Sequence, residues 1–310
     1  MDSKEMRAVY AETLIELARD NPDIVVLEAD LMKATGTLPF AKAYPRRAID
    51  VGVAEANMVG IAAGLSAVGK IPFAATFGSF AGRRDYDQFF LSANYARLNV
   101  KLVGTDPGIT AKYNGGTHMS FEDLALMRVI PGLVVVEPSD PASLGALVRR
   151  AAEHVGCVYL RMQRTAAKVL YDEAEQFEFG KAKLLREGSQ AAIFALGSVM
   201  VNESLAAADR LAADGVKAAV IDVLCLKPLD SECVLRYART TGRVVTCENA
   251  QVSGGLGSAV AELILEAGIH AKFARVGVKD EFGEVGTLDF LVHRFGLDSE
   301  HIEAAVRSLL

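Results

Sequence analysis

Cysteine and histidine are scarce in this chain of 310 residues, which contains four cysteines and five histidines. The cysteines are Cys157, Cys225, Cys233 and Cys247, and no two of them have the C-x-x-C spacing of a redox or metal motif. Isolated cysteines of this kind predict small core residues of a protein in a reducing, cytoplasmic compartment. The histidines are scattered as well, so the sequence predicts no metal cage.

Excess positive charge is also missing, because the formal net charge is −6 at pH 7. That balance argues against nucleic acid and against an anionic membrane surface as partners. No apolar run reaches the length of a transmembrane helix, and residues 1–5 do not begin a signal peptide. Apolar residues nevertheless make up 51% of the chain, which predicts a large buried interface with a partner.

Apolar segments of strand length alternate with segments of helical periodicity. The predicted strands are Ile24–Leu27, Ile71–Phe77, Val100–Gly104, Leu133–Val136, Val158–Leu160, Ala191–Leu196, Ala218–Val223, Val244–Cys247 and Phe273–Val276. Predicted helices separate them, among them 56–68, 85–97, 121–129, 141–154, 201–213, 231–238 and 255–267. Continuous apolar strands between helices are typical of parallel sheets covered on both faces.

The polar segment 171–188 interrupts this alternation and is typical of a linker with one or two short strands. We therefore predict two α/β domains, residues 1–170 and residues 189–310. Each is expected to contain a parallel sheet in a three-layer arrangement.

Glu55 is the only charged residue between Asp50 and Lys70. Burial of a lone carboxylate in so apolar a run would raise its pKa, and such a carboxyl can exchange a proton with a nitrogen base. A second interpretation is simpler, because Glu55 directly precedes the predicted helix 56–68, where the helix dipole alone favours an acid. The local pattern by itself favours this second interpretation.

Three further groups lie where strands are predicted to end, the place at which α/β sheets bind ligands. Phe77 and Phe80 could pack on a flat heterocycle or be ordinary core residues. His118, at the end of the polar loop 108–118, could be a general acid, a substrate hydrogen-bond partner or a surface helix cap. Arg161 could clamp a phosphate or form a surface ion pair.

Taken in order, several motifs resemble those of the transketolase family, over essentially the whole chain. They are Asp50-Val51-Gly52 with Glu55, Thr76-Phe77 with Phe80, Gly116-Thr117-His118, Glu137-Pro138-Ser139-Asp140, Leu160-Arg161, Lys227-Pro228-Leu229-Asp230 and Ser253-Gly254-Gly255-Leu256-Gly257. The resemblance extends over the pyrimidine-binding domain and the C-terminal domain of that family. Each motif is modest, but the ordered set is specific.

The resemblance implies thiamine diphosphate as cofactor and the transfer of a two-carbon ketol unit from a ketose donor to an aldose acceptor. Glu55 would hydrogen-bond the pyrimidine ring nitrogen and so control the tautomer of the ring. Phe80 would pack on the pyrimidine, with Phe77 in support. The capping interpretation of Glu55 then becomes secondary.

The resemblance also assigns the substrate side. His118 would be a second catalytic residue and would, with Arg161, bind the hydroxyls and the phosphate of the sugar. Arg7 would match a second phosphate-binding arginine of the family.

The substrate side departs from the usual pentose-phosphate pattern of the family. Asn114 stands where the family has an acid, Asp106 where it has a histidine, and Arg83 where it has a tyrosine at the cofactor rim. A site that pairs substrate hydroxyls discriminates strongly through such groups. We therefore predict small sugar substrates other than, or beyond, the standard pentulose phosphates.

Family members hold the diphosphate through Mg²⁺ on a Gly-Asp-Gly motif, and the sequence contains no Gly-Asp-Gly. The chain thus resembles one half of a split transketolase. We expect a separate N-terminal-half subunit to carry the Mg²⁺ and diphosphate site, in an α2β2 assembly.

Three alternatives remain open. The β subunit of a 2-oxoacid dehydrogenase shares the two-domain plan, and deoxyxylulose-phosphate synthase shares the domains but normally carries all of them in one chain. A non-catalytic regulatory half is the third. The motif Gly115-Gly116-Thr117-His118 favours a transketolase, because sugar acceptors need hydroxyl contacts and acyl chains do not.

Overall fold

The computed structural model describes residues 3–310, so Met1 and Asp2 lie outside the described residues. Its strands are β1 (Ser3–Glu5), β2 (Ile24–Glu28), β3 (Ala48–Asp50), β4 (Ile71–Phe77), β5 (Lys101–Thr105), β6 (Val134–Val136), β7 (Val158–Met162), β8 (Ala166–Lys168), β9 (Lys183–Arg186), β10 (Ala191–Leu196), β11 (Ala218–Asp222), β12 (Cys225–Lys227), β13 (Arg243–Gln251) and β14 (Lys272–Val278). They form a seven-stranded sheet, a five-stranded sheet and the short pair β1–β8.

The seven-stranded sheet has the order β12-β6-β7-β5-β4-β2-β3. Its neighbouring strands are parallel except for β12, which is antiparallel to β6. The five-stranded sheet has the order β14-β13-β10-β11-β9, and here only the edge strand β9 is antiparallel. Two mainly parallel sheets confirm the predicted α/β fold class.

Helices pack on the faces of both sheets. They are α1 (Met6–Asp20), α2 (Met32–Thr35), α3 (Leu38–Ala43), α4 (Glu55–Ala67), α5 (Gly78–Arg83), α6 (Tyr86–Gln88), α7 (Asp123–Arg128), α8 (Pro141–Glu153), α9 (Ser198–Ala213), α10 (Ser231–Thr241), α11 (Leu256–Glu266), α12 (Leu288–Arg294) and α13 (Ser299–Arg307). A π-helix spans Phe89–Tyr95, and 3₁₀ turns span Gly108–Asn114 and Gly116–His118.

The nine predicted strands are all present, with ends that differ by at most four residues. The short strands β1, β3, β8 and β12, each three residues long, lie outside the prediction. The predicted helix 85–97 is instead one α-helical turn followed by the π-helix, a difference that apolar periodicity does not reveal.

The predicted linker 171–188 contains β9, which adds to the five-stranded sheet beside β11. In the opposite direction, β12 from the second half of the chain joins the seven-stranded sheet. The two halves are therefore connected by more than a linker. The predicted domain limits, 1–170 and 189–310, remain a prediction.

Cys157, Cys225 and Cys247 are buried, Cys233 is half-buried, and all four thiols are free. Across residues 3–310, no helix is both long enough and apolar enough to cross a bilayer.

Candidate active site

The carboxyl ends of the parallel strands bring most of the predicted site residues to one edge of the larger sheet. Phe77 ends β4, Asp106 follows β5, and Glu55 opens α4 after β3. Because β3, β2, β4 and β5 are consecutive in the sheet, these residues meet at the edge where parallel sheets bind ligands.

Glu55 is buried, with 2% of its surface exposed, and is the first residue of α4. Its carboxylate is not alone, since Arg84 Nη1 donates hydrogen bonds to both of its oxygens at 3.0 and 3.1 Å. The same guanidinium lies over the ring of Phe80, with Cζ 4.2 Å from the ring centroid. Glu55 and Phe80 thus hold one flat, N–H-bearing group between them.

Asp85 lies close to Glu55 and is fully buried. Burial raises the pKa of Asp85 well above its usual range, and the charge of Glu55 raises it further. Neither carboxyl oxygen of Asp85 has a hydrogen-bond partner within residues 3–310. The site therefore places Asp85, a buried acid with a raised pKa, beside Glu55. Nothing in the sequence distinguishes Asp85, which is the first residue of the predicted helix 85–97.

Arg83, predicted as a cofactor-binding residue, is turned away from Glu55 and Phe80. Its guanidinium donates to the carbonyl oxygen of Thr117 at 2.9 Å and pairs with Glu122 at 3.2 Å. Arg84, the next residue, is the arginine that contacts Glu55 and Phe80. The sequence shows that two arginines follow the strand, but only the turn of α5 decides which of them reaches Glu55.

Phe77, Phe80 and His118 form an aromatic cluster next to Glu55. The ring centroids of Phe77 and Phe80 are 6.0 Å apart, and the His118 ring lies 5.7 Å from Phe77 and 5.2 Å from Phe80 in edge-on contact. His118 Nδ1 is 3.0 Å from the hydroxyl of Thr117, which fixes the plane of the half-buried imidazole. The structure thus brings these predicted residues together.

Asp106 and Arg164 continue the site beyond Phe77. Asp106 is buried and forms an ion pair with Arg164, and its Oδ1 accepts the Arg164 backbone N–H at 3.1 Å. The Arg164 guanidinium lies 4.9 Å from the ring centroid of Phe77. Burial raises the pKa of Asp106, and Arg164 opposes that rise. Residues 106–118, from Asp106 to His118, are called the substrate loop below.

Two predicted substrate residues lie at the rim. Asn114 is exposed at the outer turn of the substrate loop. Arg7 is half-buried, and its guanidinium pairs with the exposed Glu5 at 3.1 Å. The backbone N–H of Arg7 donates to the carbonyl oxygen of Arg164 at 3.2 Å, so α1 begins beside Arg164.

Arg161, predicted to bind a sugar phosphate, is not available to a substrate in this structure. It is fully buried and ion-paired with Asp123 at 2.8 Å and Glu137 at 2.7 Å, and its Nη2 also donates to the carbonyl oxygens of Ser120 and Asn249. Because β7 continues to Met162, Arg161 lies inside the strand rather than at its end. Arg164 is the arginine that follows β7.

The expectation that the histidines are scattered is wrong for one pair. Asp298 caps α13, and its two carboxylate oxygens lie 2.7 Å from His293 Nδ1 and 2.6 Å from His301 Nδ1. These three side chains are close enough to hold a metal ion. They lie on exposed surface of the second half of the chain, on α12 and α13, and their contacts are those of a helix cap.

Two domain families match the sequence. The transketolase pyrimidine binding domain matches residues 2–169, and the transketolase C-terminal domain matches residues 180–302. A solved structure of a split gene transketolase, described as an inactive beta4 tetramer, superposes with a TM-score of 0.90 at 43% identity, over 100% of this chain and 99% of that chain.

Individual proteins are similar along nearly their full length. A 6-deoxy-6-sulfo-D-fructose transketolase subunit, SqwH, from Clostridium sp. (strain MSTE9) is 52% identical over 304 residues, or 98% of this chain and 94% of that protein. A putative transketolase C-terminal section from Methanocaldococcus jannaschii is 42% identical over 96% of this chain and 94% of that protein. The chain therefore belongs to the transketolase family.

Proposed function

We propose that this chain is the pyrimidine-binding subunit of a split, thiamine-diphosphate-dependent transketolase. It would transfer a two-carbon ketol unit from a ketose to an aldose in complex with an N-terminal-half subunit. The observation that carries the proposal is the pair Glu55 and Phe80, which hold a flat, hydrogen-bonding group between a carboxylate and an aromatic face.

Arg84 provides the test of fit for the cofactor. Its guanidinium is planar, lies over Phe80 and donates to Glu55, and a ring-protonated aminopyrimidine would make the same two contacts. The residues therefore fit the pyrimidine, provided that Arg84 leaves when the ring enters. Arg84 is half exposed, with 49% of its side chain accessible, so it can swing outward.

Three residues of this site then have defined roles. The cofactor, when bound, supplies the reactive carbon that receives and passes on the two-carbon unit. Glu55 holds the hydrogen bond to the pyrimidine ring nitrogen, and Phe80 orients the ring. His118 lies against both phenylalanines, where it can hydrogen-bond a sugar hydroxyl and exchange a proton with it.

The site of this chain is one half of a pocket. Glu55 and Phe80 line neither the cavity of about 720 Å³ beside Leu98 nor that of about 580 Å³ beside Leu288. Around the site the surface is unusually apolar, because Val53 is 72%, Tyr113 69% and Phe282 96% exposed. Two of these residues lie near the site by sequence or by contact. Val53 precedes Glu55 by two residues, and Phe282 adjoins Gly283, which packs on Gly116.

This apolar rim suits the docking of the N-terminal-half subunit, which would bring Mg²⁺ and the diphosphate-binding groups in an α2β2 assembly. The free thiols of the chain are consistent with a cytoplasmic enzyme.

The substrate is proposed to be a ketose with an anionic group at the end remote from the transferred carbons. Arg164, stacked on Phe77 and partly exposed, is the cation placed to meet that group. The SqwH relative is named for a sulfonated ketose, 6-deoxy-6-sulfo-D-fructose, which fits the same charge requirement. A sulfonated or phosphorylated ketose is therefore the first donor to assay.

Replacing Arg164 with alanine is expected to raise KM for 6-deoxy-6-sulfofructose by about 10- to 100-fold. This is the loss in affinity expected when one charge-assisted hydrogen bond is removed. KM for fructose, a neutral ketose, should change by less than about threefold, because no charged partner is lost. Steady-state kinetics with both donors measure the difference. An equal rise for both sugars would mean that Arg164 only supports Asp106 and binds no anion.

The proposed function itself is tested by reconstitution with an N-terminal-half transketolase subunit from the same organism. We expect the complex to bind thiamine diphosphate and Mg²⁺ and to transfer two carbons from a ketose to an aldose, and we expect this chain alone to do neither. Full turnover by the isolated chain would refute the split arrangement. Turnover of 2-oxoacids instead of ketoses would favour the dehydrogenase alternative.

A further inference from the structure

The second half of the chain reaches into the active site through the end of β13. This strand pairs regularly with β14 as far as Cys247, after which the register shifts and the strand continues to Gln251. Glu248 still pairs with Leu196 of β10 and Gln251 with Val278 of β14, and between them Asn249 lies against the substrate loop of the first half. The sequence predicted this strand to stop at Cys247, so the extension was not foreseen.

Asn249 is the residue of this extension whose side chain is hydrogen-bonded to the loop. Its side-chain Oδ1 accepts the backbone N–H of Ile109 at 3.0 Å, and its Nδ2 donates to the carbonyl oxygen of Pro107 at 3.0 Å. Asn249 is 2% exposed, so both bonds are shielded from water. One amide thus satisfies a donor and an acceptor on either side of Gly108, as a neighbouring strand would.

The contact is close enough to require glycine at position 108. A Cβ at this position would lie 2.2 Å from Asn249 Oδ1 and 2.5 Å from the Asn249 carbonyl oxygen, and Gly108 also has φ of +53°. Asp106, two residues earlier, has φ of 51° as well. The start of the substrate loop is therefore a bent segment whose shape is fixed from outside by Asn249.

Two further contacts join the second half of the chain to the far end of the substrate loop and the residues that follow it. The backbone N–H of Gln251 donates to the carbonyl oxygen of Phe121 at 2.7 Å. Gly283 packs on Gly116, where a Cβ would come within 2.1 Å of the Gly283 carbonyl oxygen. The second half of the chain therefore holds the substrate loop before Ile109 and again beside His118.

We propose that Asn249 is a positioning residue of the reaction, through which the C-terminal domain sets the conformation of the substrate loop and hence the placement of Asp106 and Arg164. The proposal rests on the function proposed above. It assigns to the C-terminal domain a part in substrate binding.

Two substitutions distinguish the hydrogen bonds of the Asn249 amide from the space that its side chain fills. Asn249→Ala removes both bonds, and Asn249→Asp keeps the shape and the acceptor for Ile109 but turns a carboxylate oxygen toward the Pro107 carbonyl. In the reconstituted complex, both variants are expected to lower kcat/KM for the ketose donor by about 10- to 100-fold, since small misplacements of a binding group have effects of that size. The loss should appear mainly as a higher KM.

The cofactor side should be unaffected. The affinity for thiamine diphosphate, measured by titration of the complex without sugar, is expected to stay within about twofold, because Asn249 makes no contact with Glu55 or Phe80. In Asn249→Ala, amide hydrogen exchange over residues 107–110 should be about 10-fold faster or more, because the Ile109 N–H loses its acceptor. Gln190→Ala is the matched control, since its Oε1 accepts the Lys217 backbone N–H at 2.7 Å within the second half of the chain.

Faster exchange at residues 107–110 with raised KM and unchanged cofactor affinity would support the proposal. Unchanged KM in both variants would overturn it, whether or not exchange is faster. Failure of both variants to assemble, or a parallel loss of cofactor and sugar affinity, would also overturn it by showing a purely structural role. A wild-type complex with no ketose turnover would instead refute the proposed function.

Discussion

Replacing Glu55 with glutamine is expected to lower the turnover of the reconstituted complex by roughly 10³-fold, within the range attributed to a positioned proton-transfer group. A glutamine amide keeps the size of the side chain but cannot share a proton with a ring nitrogen, so the pyrimidine would lose its tautomer control. Single-turnover kinetics with saturating cofactor measure the effect on chemistry alone. Cofactor affinity should fall much less than turnover.

The control is Glu16→Gln, which removes a surface carboxylate that pairs with Arg149 at 2.6 Å and should leave turnover unchanged. Unchanged turnover in Glu55→Gln would mean that Glu55 serves only as the first residue of α4. It would also favour the non-catalytic alternative for this chain. Loss of cofactor binding with normal turnover at saturation would show a holding role instead of an activating one.

Both sequence interpretations of Glu55 describe a real feature of the structure. The residue opens α4, as the capping interpretation required, and it is buried against the candidate pyrimidine site, as the catalytic interpretation required. The sequence could not supply its neighbours Arg84 and Asp85. They directly follow α5, and their approach to Glu55 depends on where that short helix ends.

Arg161 and Arg164 show why the end of a strand is hard to predict from the sequence. The predicted strand ended at Leu160 and the real one ends at Met162, so a two-residue error moved Arg161 from the strand end into the core. Its partners Asp123 and Glu137 lie on separate segments of the first half of the chain, and Asn249 lies on the second. No local pattern connects such distant positions, whereas the apolar runs that predicted the strands are local.

Replacing Arg161 with methionine is expected to destabilise the chain by about 3–5 kcal/mol, the cost of leaving buried charges without their partner. Asp123 and Glu137 would both lose an ion pair, and the carbonyl oxygen of Asn249 would lose a donor. Urea unfolding of the purified chain, followed by circular dichroism, measures the change. Arg149→Met, which removes an exposed ion pair, should cost about 1 kcal/mol or less.

The destabilisation should also depend on pH, and the sign follows from Glu137. Burial raises the pKa of Glu137 to about 7, while Arg161 opposes that rise. A carboxyl whose folded pKa lies above its unfolded value loses stability as pH rises from the unfolded pKa through the folded one. Without Arg161 the folded pKa rises further, so the gap in stability between Arg161→Met and wild type should be wider at pH 8 than at pH 5.

A constant gap across that range would show that the ion pair with Glu137 is not what Arg161 contributes. The double variant Arg161→Met with Glu137→Gln sharpens the same argument, because the glutamine has no charge left to bury. Its stability should exceed that of Arg161→Met at pH 8 and lose most of the pH dependence. Asp123 loses Arg161 in both variants and keeps only the hydrogen bond from Tyr159 at 2.8 Å, so the difference in pH dependence between the two variants is the part assigned to Glu137.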